Sequence, residues 1–199
     1  ASPVHGEALR PFHEEGKVLL ALTGRSQPES WNSSDDAVDI FGLKESVEHL
    51  LTRLGITSCT YAGNTRSSLS TGLTLMLGDA EAGWLGEVHP DVLSAWDLDT
   101  TVFVAELNWD KLTEQAAEYS MKFTPVPRFP EVRRDLALVL SGETAFEALK
   151  EAAFRAEKKL LRQVNLFDVY EGKGIAEGKK SYALSFILRD DEKTLTDKV

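Results

Sequence analysis

Between Thr124 and Pro130 the chain places three prolines in seven residues, Thr-Pro-Val-Pro-Arg-Phe-Pro. Each proline fixes φ near −65° and removes a backbone donor, so neither a helix nor a central strand can run through this stretch. It reads as an extended connector, which puts a domain boundary near Lys122. The 199 residues then divide into 1–122 and 123–199, each long enough to bury a core of its own. The division also separates charge. Residues 1–122 carry 8 Lys/Arg against 19 Asp/Glu, whereas residues 123–199 carry 14 against 13. A net charge of −10 taken whole argues against binding a polyanion. Binding depends on local cations that displace phosphate counterions, so only the second part is permissive for nucleic acid.

Charged side chains interrupt every apolar run, and none approaches the length needed to cross a bilayer. The opening residues lack a basic segment followed by an apolar one, so no secretory leader is expected. Cys59 is the only cysteine and has no partner for a disulfide, which fits a reducing, cytoplasmic setting. The four histidines, His5, His13, His49 and His89, lack ligand spacing, and no zinc site is expected.

Along the first part, residues 1–16 are a polar lead-in. The run Val18–Thr23 predicts a buried strand ended by Gly24. Ile40, Leu43, Val47, Leu50, Leu51 and Leu54 recur at helical spacing, with Gly55 where a left-handed C′ residue belongs. Leu73–Leu77 and Ala82–Val88 predict a hairpin about a turn at 78–81. Pro90 opens a short helix with Val92, Leu93 and Trp96. A strand at Val102–Leu107 and a helix at Trp109–Glu118 complete the part. No catalytic set assembles: Ser67, Ser68 and Ser70 have no base beside them, His89 is a corner residue, and Asp35, Asp36 and Asp39 suit helix capping.

The second part predicts a strand at Asp135–Leu140, a helix from Thr144 to about Lys159, and strands at Val164–Tyr170 and Ser181–Leu188. Thr194–Asp197 resembles a further helix start. This β-α-β-β order is the opening of a ferredoxin-like split βαβ unit, its last strand missing, so the natural chain is expected to continue. The predicted fold class is therefore α+β. Alternation places Leu136, Leu138, Leu140, Tyr182, Leu184, Phe186 and Leu188 under the helix. Ala137, Val139, Ala183, Ser185 and Ile187 fall on the opposite, open face. Small residues with a neighbouring aromatic, here Phe167 or Tyr170, suit flat bases, although the same face could pack on another domain. Arg133-Arg134 and Lys179-Lys180 flank the sheet, either as phosphate contacts or as solvated ends. The glycines at 172, 174 and 178 do not make a phosphate loop: five residues separate Gly172 from Gly178, and a strand follows rather than a helix.

Several segments carry a resemblance. Lys122-Phe-Thr-Pro-Val-Pro-Arg-Phe-Pro-Glu-Val-Arg-Arg-Asp-Leu-Ala-Leu-Val139, Leu166-Phe-Asp-Val-Tyr-Glu-Gly172, Gly178-Lys-Lys-Ser181 and Thr194-Leu-Thr-Asp197 resemble the ferredoxin-fold anticodon-binding domain of bacterial phenylalanyl-tRNA synthetase β subunits. Pro28-Glu-Ser-Trp-Asn32, Val38-Asp-Ile-Phe-Gly-Leu-Lys44 and Gly83-Trp-Leu-Gly-Glu-Val-His-Pro90 resemble the catalytic-like domain of the same subunit, a class II synthetase fold. The resemblance begins near Gly16 and does not reach the family's editing modules.

It implies a part of an α2β2 ligase that joins phenylalanine to tRNA(Phe), with ATP and magnesium used by the α subunit and no cofactor held here. The implied partners are tRNA(Phe), the α subunit and a second β subunit, with no membrane. Residues 1–122 hold neither an Arg-x-Glu motif nor a Gly-rich segment ending in Arg, in keeping with a catalytic-like domain without chemistry. Carried over by position, Ala137 would face anticodon bases, Tyr170 would stack on one and Ser181 would hydrogen-bond nearby. Apart from the resemblance, Arg133, Arg134, Lys179 and Lys180 are the phosphate contacts that their place at the strand ends suggests. Strict alternation turns Tyr170 to the wrong face, so a bulge or twist must reset it. Asn64-Thr-Arg-Ser-Ser68 departs from the His-Pro-Gly-Arg-Ser type segment of many relatives.

Overall fold

The computed structural model describes residues 14–32, 35–120, 123 and 125–196. It forms two compact units, divided between Lys122 and Phe123.

In the first unit, β1 (Lys17–Thr23), β2 (Thr60–Gly63), β3 (Leu69–Leu77), β4 (Ala80–Val88) and β5 (Val102–Asn108) make one antiparallel sheet in the order β1-β5-β4-β3-β2. Helices α1 (Ile40–Arg53) and α3 (Trp109–Ala117) pack on one face, and α2 (Pro90–Ser94) follows β4. Leu43, Val47 and Leu51 lie one helical turn apart along α1 and are all but sealed from solvent. They close on Leu75, Leu85, Ala105 and Leu107 of the sheet. Each such side chain contributes about 1.5–3 kcal/mol by leaving water.

The ends of α1 follow local chemistry. Asp39 caps the start by accepting from the Gly42 amide at 2.8 Å. At the far end Gly55, at φ +78°, donates to the Thr52 carbonyl, and Ile56 donates to Leu51, a Schellman arrangement sealed by the burial of Ile56. The hairpin turn is tighter than the four residues expected: β3 and β4 are joined by Gly78 and Asp79 alone. Gly78 supplies the positive φ that a two-residue turn needs at its first position. β2 carries no sequence signal, being four residues long and mostly exposed.

The second unit places β6 (Val132–Ser141), α4 (Phe146–Ala156), β7 (Leu161–Tyr170) and β8 (Lys179–Leu188) in the order of a split βαβ unit. β8 lies between β6 and β7, antiparallel to both. Every strand begins two or three residues earlier than its apolar run, because ladder hydrogen bonds do not require apolar side chains. The helix is shorter than expected at both ends. It starts after Ala145, which makes no side-chain cap, and stops before Glu157. Thr194–Thr196 carry no helix, and the remainder of that expected start, Asp197, lies outside the described residues.

Candidate nucleic-acid interface

Register fixes which side chains of the second sheet share a face, since residues directly opposite in an antiparallel pair point the same way. Leu138, Tyr182 and Val169 form one row across the strands, and Leu136, Leu184 and Leu166 the next. These face α4, where Tyr182, Leu184, Leu161 and Val164 are buried. The intervening rows form the open face: Val139–Ser181–Tyr170, Ala137–Ala183–Asp168, Asp135–Ser185–Asn165 and Arg133–Ile187–Gln163.

Tyr170 reaches this face through a bulge. The register of β7 against β8 slips between Leu166 and Asp168, so Phe167 and Asp168 together oppose a single residue. Every residue after the slip changes face, which brings Tyr170 into the row of Ser181. The slip leaves a trace in the sequence: strict alternation would have turned the Asp168 carboxylate under the helix, a costly place for a charge.

The Tyr170 side chain is 47% exposed and is held at one end. Its hydroxyl donates to the Lys173 carbonyl at 3.1 Å. The ring edge lies over Gly172, where a Cβ would stand 3.0 Å from the hydroxyl oxygen and 3.2 Å from Cζ. The glycine is thus set by ring contact rather than by φ. Ala137 is exposed and Ser181 half-buried beside it. The floor between them is small and free of bulky cover.

The structure divides the two basic pairs. Arg133 and Lys179 stand in open-face rows, at opposite ends of β6's partner register. Arg134 and Lys180 point to the helix face, where the Lys180 amine sits 4.7 Å from the centre of the Tyr182 ring. The pairs therefore do not act as doubled contacts on one surface, because neighbouring residues of a strand alternate. Arg133 is held by Asp135, its Nε donating to Oδ1 at 2.7 Å, and its guanidinium lies 5.2 Å from the Phe167 ring. Nothing in periodicity announces that last contact, which joins the two outer strands.

Residues 127–199 match the model of the ferredoxin-fold anticodon binding domain, and residues 4–109 that of the phenylalanyl tRNA synthetase beta chain CLM domain. The chain belongs to the phenylalanyl-tRNA synthetase β-chain family. It is 38% identical over 196 residues to the phenylalanine–tRNA ligase beta subunit of Bacteroides fragilis, covering 97% of this chain and 24% of that protein. Identity is 38% over 193 residues with the beta subunit of Porphyromonas gingivalis, covering 96% and 24%. With that of Symbiobacterium thermophilum it is 40% over 197 residues, covering 98% and 22%. The chain spans about a quarter of the length of the curated relatives it matches.

In this synthetase β-chain segment the first sheet also turns one face away from its helices, and one end of that face is covered. Gly72 and Gly86 oppose each other, and the Leu69 side chain lies across them: a Cβ on either would come within 2.8 Å of Leu69 Cδ1. Further along, Lys17 donates to Glu106 at 2.9 Å, while Arg66 pairs with Glu81 at 3.1 Å and stacks on Trp84. The Lys17 bond holds the Glu106 carboxyl below its ordinary range and the Lys17 amine above its own. The charges answer one another and leave little field for a ligand. Among the described residues no three His, Cys, Asp or Glu side chains gather as a metal would require.

Proposed function

We propose that this chain is the tRNA-holding and assembly-supporting part of a phenylalanine–tRNA ligase. Residues 123–199 act as the anticodon-binding domain for tRNA(Phe). Residues 1–122 act as a catalytic-like domain without chemistry, which supports the α subunit and a second β subunit in an α2β2 enzyme. Aminoacylation, with its ATP and magnesium, belongs to the α subunit. The residues present here do not fit those groups, since the charged side chains on the first sheet's free face pair among themselves and, among the described residues, no three His, Cys, Asp or Glu side chains gather. The setting is the cytoplasm, away from membranes; no helix among the described residues is long and apolar enough to cross one.

One observation carries the reading: small side chains in two adjacent rows, Ala137 and Ala183 in one and Ser181 in the next, beside a half-exposed Tyr170 on the sheet face turned away from the helix. Bases lie flat on such a floor and stack on the aromatic at its edge. Ala137, Tyr170 and Ser181 are the proposed base contacts, with Arg133 and Lys179 supplying charge on the same face. Arg134 and Lys180 contribute only to the surrounding field.

Titration of the whole chain with tRNA(Phe) tests this. Tyr170→Ala is expected to cost roughly 1–3 kcal/mol of binding, the usual worth of one base stack. Absence of any affinity for tRNA at low salt would favour a scaffold that docks on protein alone.

A further inference from the structure

Phe167 is an aromatic that the fold leaves half in water. It is 50% exposed, on the residue that the β7 bulge inserts opposite Ala183. Phe167 is not isolated: Val139 and Tyr170 on the same sheet face are also about half exposed, so apolar and aromatic surface gathers there. A cation lies against the Phe167 ring. Arg133, from the opposite outer strand, lays its guanidinium 5.2 Å from the ring centre. The Arg133 Nε is tied to Asp135 at 2.7 Å, so the planar group is anchored at two points while its side chain stays 55% exposed. The bridge spans the middle strand at the level of Ser185, which is only 3% exposed, whereas Ala183 two residues along the same face is not buried. The open face thus has two levels: a low floor beside Tyr170, and a shelf formed by the arginine and the phenyl ring.

Resting on the anticodon-binding reading above, we infer that Phe167 and Arg133 form a second stacking platform, which takes another base of the same RNA loop. Phe167 stands opposite Ala183 and Tyr170 opposite Ser181, two residues or about 7 Å apart along the middle strand. Stacked bases lie about 3.4 Å apart, so two bases held at these aromatics are splayed from one another rather than stacked together. A base finds a π-face on the exposed phenyl and a planar cation beside it, a combination that tolerates any base. Asp135 offsets the charge of Arg133, so the platform works through stacking more than through phosphate neutralisation.

tRNA(Phe) binding by the whole chain is measured across several salt concentrations for Phe167→Ala, Phe167→Leu, Phe167→Trp and Tyr170→Ala, with circular dichroism to confirm that each variant folds. Phe167→Ala and Phe167→Leu are both expected to weaken binding roughly ten- to hundredfold. The slope of log K against log salt should stay unchanged, and Phe167→Trp should bind at least as well as the original. Leucine keeps the apolar bulk but has no planar face, so full binding by Phe167→Leu would reduce Phe167 to a structural support and overturn the platform. Wild-type binding by both Phe167→Ala and Phe167→Leu, with Tyr170→Ala weakened, would remove the platform and leave the anticodon reading standing. Failure of the unaltered chain to bind tRNA, or insensitivity of all four variants, would remove both.

Discussion

At the scale of single residues, glycines mark where the backbone is approached, and the structure alone says by what. Gly86 is buried opposite Gly72, and a Cβ there would meet the Thr71 carbonyl oxygen at 2.3 Å and Leu69 Cδ1 at 2.8 Å. The first neighbour is backbone in a paired strand and cannot yield. Gly63, also in a strand, has nothing within 4 Å of its missing Cβ. Gly86→Ala is therefore expected to destabilise the first unit by about 1–3 kcal/mol or more, as overpacked sites do. Gly63→Ala should stay within about 0.5 kcal/mol of the original. Urea unfolding of the two variants side by side measures the contrast; equal midpoints would show that Leu69 and the strand can shift aside. Sequence marks both residues as glycine and cannot tell them apart. Gly55 is different: its place after the last apolar residue of α1 announces a left-handed C′ position, because that conformation is a local requirement.

At the scale of elements, helix α1 and the faces of β6 and β8 were legible because each obeys one period from end to end. β7 was not, because one inserted residue breaks its period and reverses everything after it. The resemblance implied such a break before Tyr170, and strict alternation gave no place for it. The turn between α4 and β7 shows a second device of this kind. The Glu157 carboxylate accepts from the amides of Lys159 and Leu160, both at 2.8 Å, and those bonds hold its carboxyl below the ordinary range. A group whose folded value is depressed stabilises fully above its unfolded value, and that stability fades as pH falls through the folded one. Glu157→Gln should therefore melt at a lower temperature than the original near neutral pH, with the gap closing as pH falls below the ordinary glutamate value of about 4.3. Thermal unfolding across that range checks it; a gap that ignores pH would mean the charge is irrelevant to the turn.

For the molecule as a whole, charge bears on how the proposed RNA contact is made. The first 122 residues are strongly acidic and the remainder nearly balanced, so neither part carries a large net excess of cations for gripping phosphates. Of the four cations singled out by sequence, the sheet brings Arg133 and Lys179 to the open face and turns Arg134 and Lys180 from it. With the charge of Arg133 offset in part by Asp135, neutralising one to two phosphates of a single-stranded loop gives a slope of log K against log salt between about −0.7 and −1.4. Removing Lys179 by substitution to Ala should make that slope shallower by about 0.7. A much steeper slope would place most of the phosphate contacts elsewhere on the chain.

What the amino-acid sequence determined unaided was whatever depends on near neighbours: the proline-rich connector, the capped and periodic helix α1, the β-α-β-β order, and the faces of strands that alternate without interruption. Those features follow from backbone sterics and the spacing of apolar side chains, which are written residue by residue. Only tertiary structure decided the face of Tyr170, the partition of the two basic pairs and the meeting of Arg133 with Phe167. Each of these depends on the register between strands joined by long connections, and register is settled by packing and hydrogen bonding across the sheet rather than along the chain.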